Sequence, residues 1–170
     1  MLPAVVDLER ALAGGTLLYE ELGSNVAFAT ALGADSNALD GADVVAECRI
    51  LSQRLAGVPM EPNACVAVPE GDRMKFIVAT QAAHAVKPAL AAGIGVDPEQ
   101  VRVIGPWVGG GFGPKAAYYV EYEICAKAAK LLNRPVKWTE SRTENMLSMG
   151  HGRSFIMDTK LGVKKDGTIV

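Results

Sequence analysis

Residues 101–132, VRVIGPWVGGGFGPKAAYYVEYEICAKAAKLL, decide the fold class. Val101-Arg102-Val103-Ile104 is mostly β-branched and reads as a strand. Residues 105–114 are glycine-rich and interrupt it. Residues 115–132 are rich in Ala, Lys, Glu and Leu, which predicts a helix. Asn133-Arg134-Pro135 ends that helix, because proline offers no N–H to continue it, and Val136-Lys137-Trp138-Thr139 reads as another strand. Upstream, residues 75–80 read as a strand, and a helix of about 12 residues is expected from Gln81 or Ala82 to near Gly93. Pro88 predicts either a kink within it or a true start at residue 87. Asp97-Pro98-Glu99-Gln100 has the look of a capped single turn. Strands alternating with helices predict an α/β (α+β) fold, a mixed sheet with packed helices.

Further out, residues 7–13 predict a short helix with Asp7 as N-cap and Gly14-Gly15 as its stop. Residues 16–40 show no clear period. Residues 43–55 read as a strand, although Leu51 and Leu55 also suit a helix. Residues 57–69 are rich in turn formers around a short strand, Cys65-Val66-Ala67-Val68, and Gly71-Asp72 signals a turn. Residues 160–170 predict a β-hairpin with Asp166-Gly167 as a type I′ turn. The returning strand has only Thr168, Ile169 and Val170, so a fragment, or one part of a split subunit, is expected.

Composition narrows the function classes. The 170 residues are 49% hydrophobic and 21% charged, with a net charge of −2. That suits one globular domain, or one and a small appendage, with a real core. The charge gives no basis for nucleic-acid binding, and no lysine or arginine block suggests a membrane-surface patch. No apolar run approaches the roughly 18 residues of a spanning helix, and Met1-Leu2-Pro3-Ala4-Val5-Val6-Asp7 lacks the basic leader of a signal peptide. A cytoplasmic location is expected. Cys48, Cys65 and Cys125 form no C-x-x-C pair and are expected to be buried, reduced thiols. With His84 and His151 the only histidines, no local metal site is expected, and any metal must arrive inside a cofactor.

Gly109-Gly110-Gly111-Phe112-Gly113-Pro114-Lys115 lies between the strand at 101–104 and the predicted helix. Glycines permit positive φ and a close approach to a ligand. A helix start there would add unpaired N–H donors and a positive dipole end, suited to an oxyanion, a phosphate or a metal-bound oxo group. A P-loop needs Gly-Lys-Ser/Thr, whereas Pro114 precedes Lys115 and Ala116 follows it. A dinucleotide fingerprint meets Pro114 or Phe112 where glycine is required. A phosphate- or nucleotide-binding module stays open, as does a scaffold whose tight turn holds no ligand.

Read in order, Met60-Glu61-Pro62, the strand ending Thr80-Gln81, Gly110-Gly111-Phe112-Gly113-Pro114-Lys115, Asn133-Arg134-Pro135, residues 140–146, Gly152-Arg153 and Asp166-Gly167 resemble the molybdopterin-binding large subunit of the xanthine dehydrogenase, aldehyde oxidase and aerobic carbon monoxide dehydrogenase family. The resemblance covers essentially the whole chain. It implies that residues 1–40 are a linker following an absent N-terminal hammerhead-like domain. Residues 41–170 would be the N-terminal part of the molybdopterin-binding domain, truncated at its C-terminal end. The implied cofactor is molybdenum–molybdopterin, with the cytosine dinucleotide form as one option, and Fe–S and FAD are expected on other subunits. Implied partners are the remaining molybdenum-subunit segments, an Fe–S subunit, an FAD subunit and a small-molecule substrate.

The same resemblance assigns roles. Gln81 would donate from its amide to an oxo ligand of molybdenum. Gly110, Gly111, Phe112 and Gly113 would set backbone N–H groups beside the apical oxo ligand and the dithiolene. Phe112 would pack its ring beneath the cofactor, the alternative being a plain core phenylalanine. No catalytic residue is expected here, since the family's general-base glutamate lies near the subunit's C-terminus, so the chain alone should be inactive. Ala116 stands where xanthine-oxidising members carry a purine-binding glutamate. That disfavours a purine and leaves an aldehyde, a heterocycle or carbon monoxide. Apart from the resemblance, Arg142 and Glu144 read as surface charges at a strand end. Glu123 and Lys127 read as an i,i+4 pair on a solvated face, Tyr118, Tyr119 and Tyr122 as core, and His84 as a packing residue, with a place near the cofactor as its alternative.

Overall fold

The structure, a computed structural model, describes residues 4–33 and 37–170. Residues 1–3 of the leader reading and 34–36 of the expected linker lie outside the described residues. In chain order the elements are α1 (Leu8–Leu12), β1 (Val44–Leu55), β2 (Ala64–Glu70), β3 (Arg73–Val78), α2 (Ala83–Ile94), β4 (Val101–Ile104), α3 (Val120–Leu132), β5 (Val136–Thr139), α4 (Arg142–Ser148) and β6 (Gly152–Val163). Single 3-10 turns sit at Glu20–Leu22, Pro98–Gln100 and Pro114–Ala116. The elements form two compact units. One comprises Leu55–Gly152, the other the chain up to Arg54 together with Arg153–Val170. No described helix is long and apolar enough to cross a membrane.

The 55–152 unit is the mixed α/β domain that the alternation of elements predicts. Its sheet runs β4-β3-β2-β5. β2 is antiparallel to β3 and β5, and β3 is parallel to β4. The β2–β3 hairpin turns on Gly71-Asp72, with Glu70 opposite Arg73 and Gly71 at φ +66°, the primed-turn geometry that suits strand twist. Alternate strand residues Cys65, Ala67, Met74, Phe76, Val78 and Val101 point into one core. Val86, Leu90 and Ile94 of α2 and Tyr122, Cys125, Ala126 and Ala129 of α3 cover them. These positions follow the 3.6-residue helical period. Tyr122, fully buried, meets the rings of Phe76, Tyr118, Tyr119 and Trp138 edge-on at centroid distances of 5.6–6.3 Å.

Pro88 lies inside α2 rather than at its start, and Gly95 closes the helix at φ +66°. Both Pro88 and His84, four residues earlier, are exposed, so the backbone bond that Pro88 cannot donate is missing from the solvent-facing side of the helix. Asp97 and Gln100 cap the Pro98–Gln100 turn reciprocally, as the sequence predicts.

α3 departs from expectation. It begins at Val120, not at residue 115. The Lys115 carbonyl, which would open that helix, accepts the Thr80 hydroxyl and the Gln81 N–H, each at 3.0 Å. The Pro114 carbonyl accepts the Ala117 N–H at 3.2 Å and the Tyr119 hydroxyl at 2.8 Å. With both carbonyls taken, residues 114–116 make one 3-10 turn and Ala117 is extended at ψ 157°. The glycine loop therefore does not sit at an α-helix N-terminus, and the dipole argument for an oxyanion or phosphate there fails.

In the other unit, Asp7 caps α1 by accepting the Arg10 N–H at 2.8 Å. β1 and β6 pair as a two-stranded ribbon. It exposes Leu51, Phe155, Met157 and Leu161, as well as Cys48, which is not the buried thiol expected. Cys65 and Cys125 are buried. Beyond β6 the chain turns back, with Val163 bridged to Ile169. The turn is not type I′, which would need positive φ at both central residues. Only Gly167 is left-handed, at φ +88°, and its N–H donates to the Lys164 carbonyl at 2.9 Å. That is a type I turn followed by a glycine bulge.

Candidate functional site

β3 delivers Thr80 and Gln81 to the top of the sheet, beside the loop that follows β4. Thr80 is buried and Gln81 exposed. The Gln81 Oε1 accepts the Gly113 N–H at 2.9 Å. An N–H donor requires the amide oxygen, so this bond fixes which way the side chain points. The Nε2 group is left without a hydrogen-bond partner among the described residues. Gly111 lies against that side chain: a Cβ there would fall 2.3 Å from the Gln81 Oε1. Gly111 is thus a glycine because Gln81 occupies its space.

Gly110, at φ +93°, and Gly113, at φ +98°, hold the loop in conformations that L side chains rarely adopt. Phe112 takes φ +52° and is 72% exposed, which removes its alternative as a core phenylalanine. A Cβ on Gly110 would meet the Phe112 ring at 3.0 Å and Pro59 at 3.3 Å, so the ring rests over the loop's own backbone. The N–H groups of Gly110, Gly111 and Phe112 have no partner among the described residues.

The sequence reading missed what lies beneath. Lys115 is fully buried, and its Nζ donates to the Glu61 Oε2 at 2.8 Å. The same oxygen accepts the Gly109 N–H at 2.8 Å, while the Glu61 N–H donates to the Gly109 carbonyl at 3.1 Å. Burial pushes the Glu61 carboxyl up. The hydrogen bonds from Lys115 and Gly109, with the Lys115 charge, together outweigh that and hold it below its ordinary 4.5.

Arg142 is not an idle strand-end charge. It donates to the carbonyls of Pro59 and Met60 at 2.7 and 2.9 Å and to the Asn145 Oδ1 at 2.8 Å. Buried Glu140 accepts the Asn63 N–H at 2.9 Å and the Asn145 Nδ2 at 2.8 Å. Residues 59–63 are thus fastened to α4 on one side and to the glycine loop on the other. Glu144 closes a capping box with Ser141 at the start of α4. His84 is exposed in the first turn of α2, Ala116 is exposed beyond the loop, and Glu123 pairs with Lys127 at 2.6 Å as the spacing predicts.

What the arrangement offers is a row of neutral hydrogen-bond donors, three backbone N–H groups and one carboxamide, on an open surface. Such a row suits a group rich in oxygen and sulfur acceptors, such as a metal-bound oxo ligand with its dithiolene. Cavities of about 410 Å³ along residues 4–16 and about 390 Å³ between β3 and the α2–β4 turn include neither Gln81 nor a loop residue. A ligand held by the loop would therefore take its other walls from elsewhere.

Comparison with known proteins agrees with that chemistry. Residues 18–170 match the family described as the molybdopterin cofactor-binding domain. The nicotine 6-hydroxylase large subunit of Paenarthrobacter nicotinovorans is 34% identical over 99% of this chain and 21% of its own length. The carbon monoxide dehydrogenase large chain of Hydrogenophaga pseudoflava is 36% identical over 69% of this chain and 15% of its own. The crystal structure of quinoline 2-oxidoreductase from Pseudomonas putida 86 superposes with a TM-score of 0.79 at 29% identity, over 99% of this chain and 22% of that one. The chain spans about a fifth of the length of the curated relatives it matches along its whole extent.

Proposed function

Since the chain belongs to the molybdopterin cofactor-binding domain family, we propose that it supplies one wall of a molybdenum cofactor's pocket in a multi-subunit hydroxylase. When bound, that cofactor supplies oxidative hydroxylation. The chain's own residues position it. The Gln81 Nε2 and the N–H groups of Gly110, Gly111 and Phe112 would hold it by donating to its oxygen and sulfur acceptors. Gly113 gives its N–H to Gln81 instead and acts by orienting that side chain. Phe112 shields the loop backbone and offers its exposed ring to the cofactor. The observation that carries this reading is the Gln81 amide, turned by Gly113 so that its donors have no partner among the described residues.

No residue of this chain acts as the proton-accepting base in this scheme. The general base, the rest of the molybdenum subunit, and subunits carrying Fe–S clusters and FAD complete the enzyme. The cofactor is the plain or the cytosine dinucleotide form, and the location is cytoplasmic. Residues 1–40 serve as a linker after a hammerhead-like domain, and 41–170 as the N-terminal part of the cofactor domain. The apolar side chains exposed on the β1/β6 ribbon, with Met60 at 93% and Trp107 at 100% exposure, support cover by other segments. For the substrate, Ala116 in place of a purine-binding glutamate argues against a purine. Relatives named for nicotine and quinoline put a heterocycle ahead of an aldehyde or carbon monoxide.

The test is the molybdenum content of the full-length subunit purified with its partners, measured by elemental mass spectrometry. About one molybdenum per large subunit, falling at least several-fold in Gln81→Ala, is expected. An intact assembly without molybdenum, or with tight nucleotide binding at the loop instead, would overturn the reading.

A further inference from the structure

Lys115 buries a charged side chain completely beneath the glycine loop. A buried ammonium is tolerated only when paired, and its partner is the Glu61 carboxylate at 2.8 Å. The pair reaches both halves of the donor row. Through Glu61 it grips the loop's start, since one carboxylate oxygen takes both the Lys115 Nζ and the Gly109 N–H. Through its own carbonyl, Lys115 grips the other half, accepting the Thr80 hydroxyl and the Gln81 N–H. Glu61 itself is held, because Arg142 fastens the carbonyls of Pro59 and Met60 just before it. Packing leaves no slack: a Cβ on Gly109 would lie 2.6 Å from that of Glu61.

We propose that Glu61 and Lys115 are positioning residues for the cofactor: their ion pair sets the spacing between the loop N–H groups and the Gln81 carboxamide before the cofactor arrives. Neither touches the cofactor in this scheme. Both act through Gly109 and Gln81, and the proposal rests on the reading that those elements hold molybdopterin. A charged pair is needed for this geometry. A neutral side chain at 115 would leave Glu61 with Gly109 alone, and an amide at 61 would weaken both bonds it now accepts.

The experiment uses the full-length subunit assembled with its partners and compares Glu61→Gln, Lys115→Met, the double variant E61Q/K115M and Gln81→Ala with the unsubstituted enzyme. Three quantities are read: molybdenum retained during dialysis, the Mo(V) electron paramagnetic resonance line shape after partial reduction, and the melting temperature. E61Q and K115M are expected to release molybdenum about 10–100-fold faster, with a changed Mo(V) signal. The double variant removes the unpaired buried charge that E61Q leaves on Lys115, so it should recover melting temperature relative to E61Q but neither retention nor line shape. Retention and line shape unchanged in E61Q, or recovered with melting temperature in the double variant, would reduce the pair to core filling and overturn the proposal alone. An unsubstituted enzyme without molybdenum, or Q81A that retains it like the unsubstituted enzyme, would remove the underlying reading and the proposal with it.

Discussion

Gly111→Ala separates the site from the fold. A Cβ at 111 would lie 2.3 Å from the Gln81 Oε1, 2.4 Å from its Cδ and 2.6 Å from its Cγ, where ordinary contact begins near 3.4 Å. The difference, 3.4 less 2.3, means the amide must retreat by about 1 Å. It can do so because the obstacle is the end of a flexible, exposed side chain and not backbone. The hydrogen bond to Gly113 would be lost, at a cost of about 0.5–1.5 kcal/mol. Replacing glycine by alanine at an ordinary φ returns about 0.4–1 kcal/mol through the unfolded chain. The net change in folding stability is then within about 1 kcal/mol, a shift of a few degrees at most. Displacing a positioned group by about 1 Å is felt far more strongly in function, by a factor on the order of 100. Cofactor retention and the Mo(V) signal of the assembled enzyme should therefore change about as much as in Gln81→Ala. The double variant G111A/Q81A should be no worse than either single one, because both remove the same contact. Full retention in G111A, or effects that add in the double variant, would refute the claim that Gly111 exists to seat Gln81.

Three other outcomes follow from the packing and the electrostatics. Phe76→Ala, in the centre of β3 and fully buried, should destabilise by about 3–5 kcal/mol, read by denaturant unfolding of the full-length subunit. Ser141→Ala removes the side-chain acceptor for the Glu144 N–H and should cost about 1 kcal/mol; a melting temperature equal to the unsubstituted subunit's would show that α4 does not need its cap. The Glu61 carboxyl is held below 4.5 in the folded chain. Its contribution is therefore present in full above that value and is lost as pH falls through the lower folded value. Amide exchange at Gly109, corrected for intrinsic rates, should lose protection as pH falls below 4.5, and Glu61→Gln should flatten that dependence.

The sheet was legible because its strands are short runs rich in β-branched and aromatic residues, bounded by turn formers such as Gly71-Asp72. The Asp7 and Asp97 caps were legible because capping depends on residues a few positions apart. The start of α3 was not. It is set by Thr80 and Gln81 taking the Lys115 carbonyl from 35 and 34 positions away, and no local propensity records that. The type I′ reading of Asp166-Gly167 took the dipeptide signal at face value, whereas the pairing of Lys164 with Thr168 puts the turn one residue earlier. The Ser141-Arg142-Thr143-Glu144 pattern is a capping-box signature that reading Arg142 and Glu144 as strand-end charges overlooks.

At the site, the sequence singled out the glycine loop and Gln81, and the structure joins Gln81 to Gly113 and packs it on Gly111. What stayed hidden is the support. Glu61 lies inside a quoted motif, and Lys115 ends the loop, yet nothing in either position announces that they meet across 54 residues, with the lysine fully buried. The sign available was a lysine closing an otherwise uncharged run at 103–114, a place where a solvated charge would have no reason to stand alone. For Phe112 the sequence left a cofactor-facing ring and a plain core phenylalanine both open, and the left-handed backbone, which leaves the ring exposed, speaks against the core alternative.

The most direct measurement is a structure of the assembled, loaded enzyme at a resolution that places side-chain amides. The Gln81 Nε2 should then stand about 2.7–3.2 Å from an acceptor atom of the cofactor, with its Oε1 still on the Gly113 N–H. A cofactor seated away from this loop, or a Gln81 amide turned to bond within the protein while the cofactor is in place, would contradict the account.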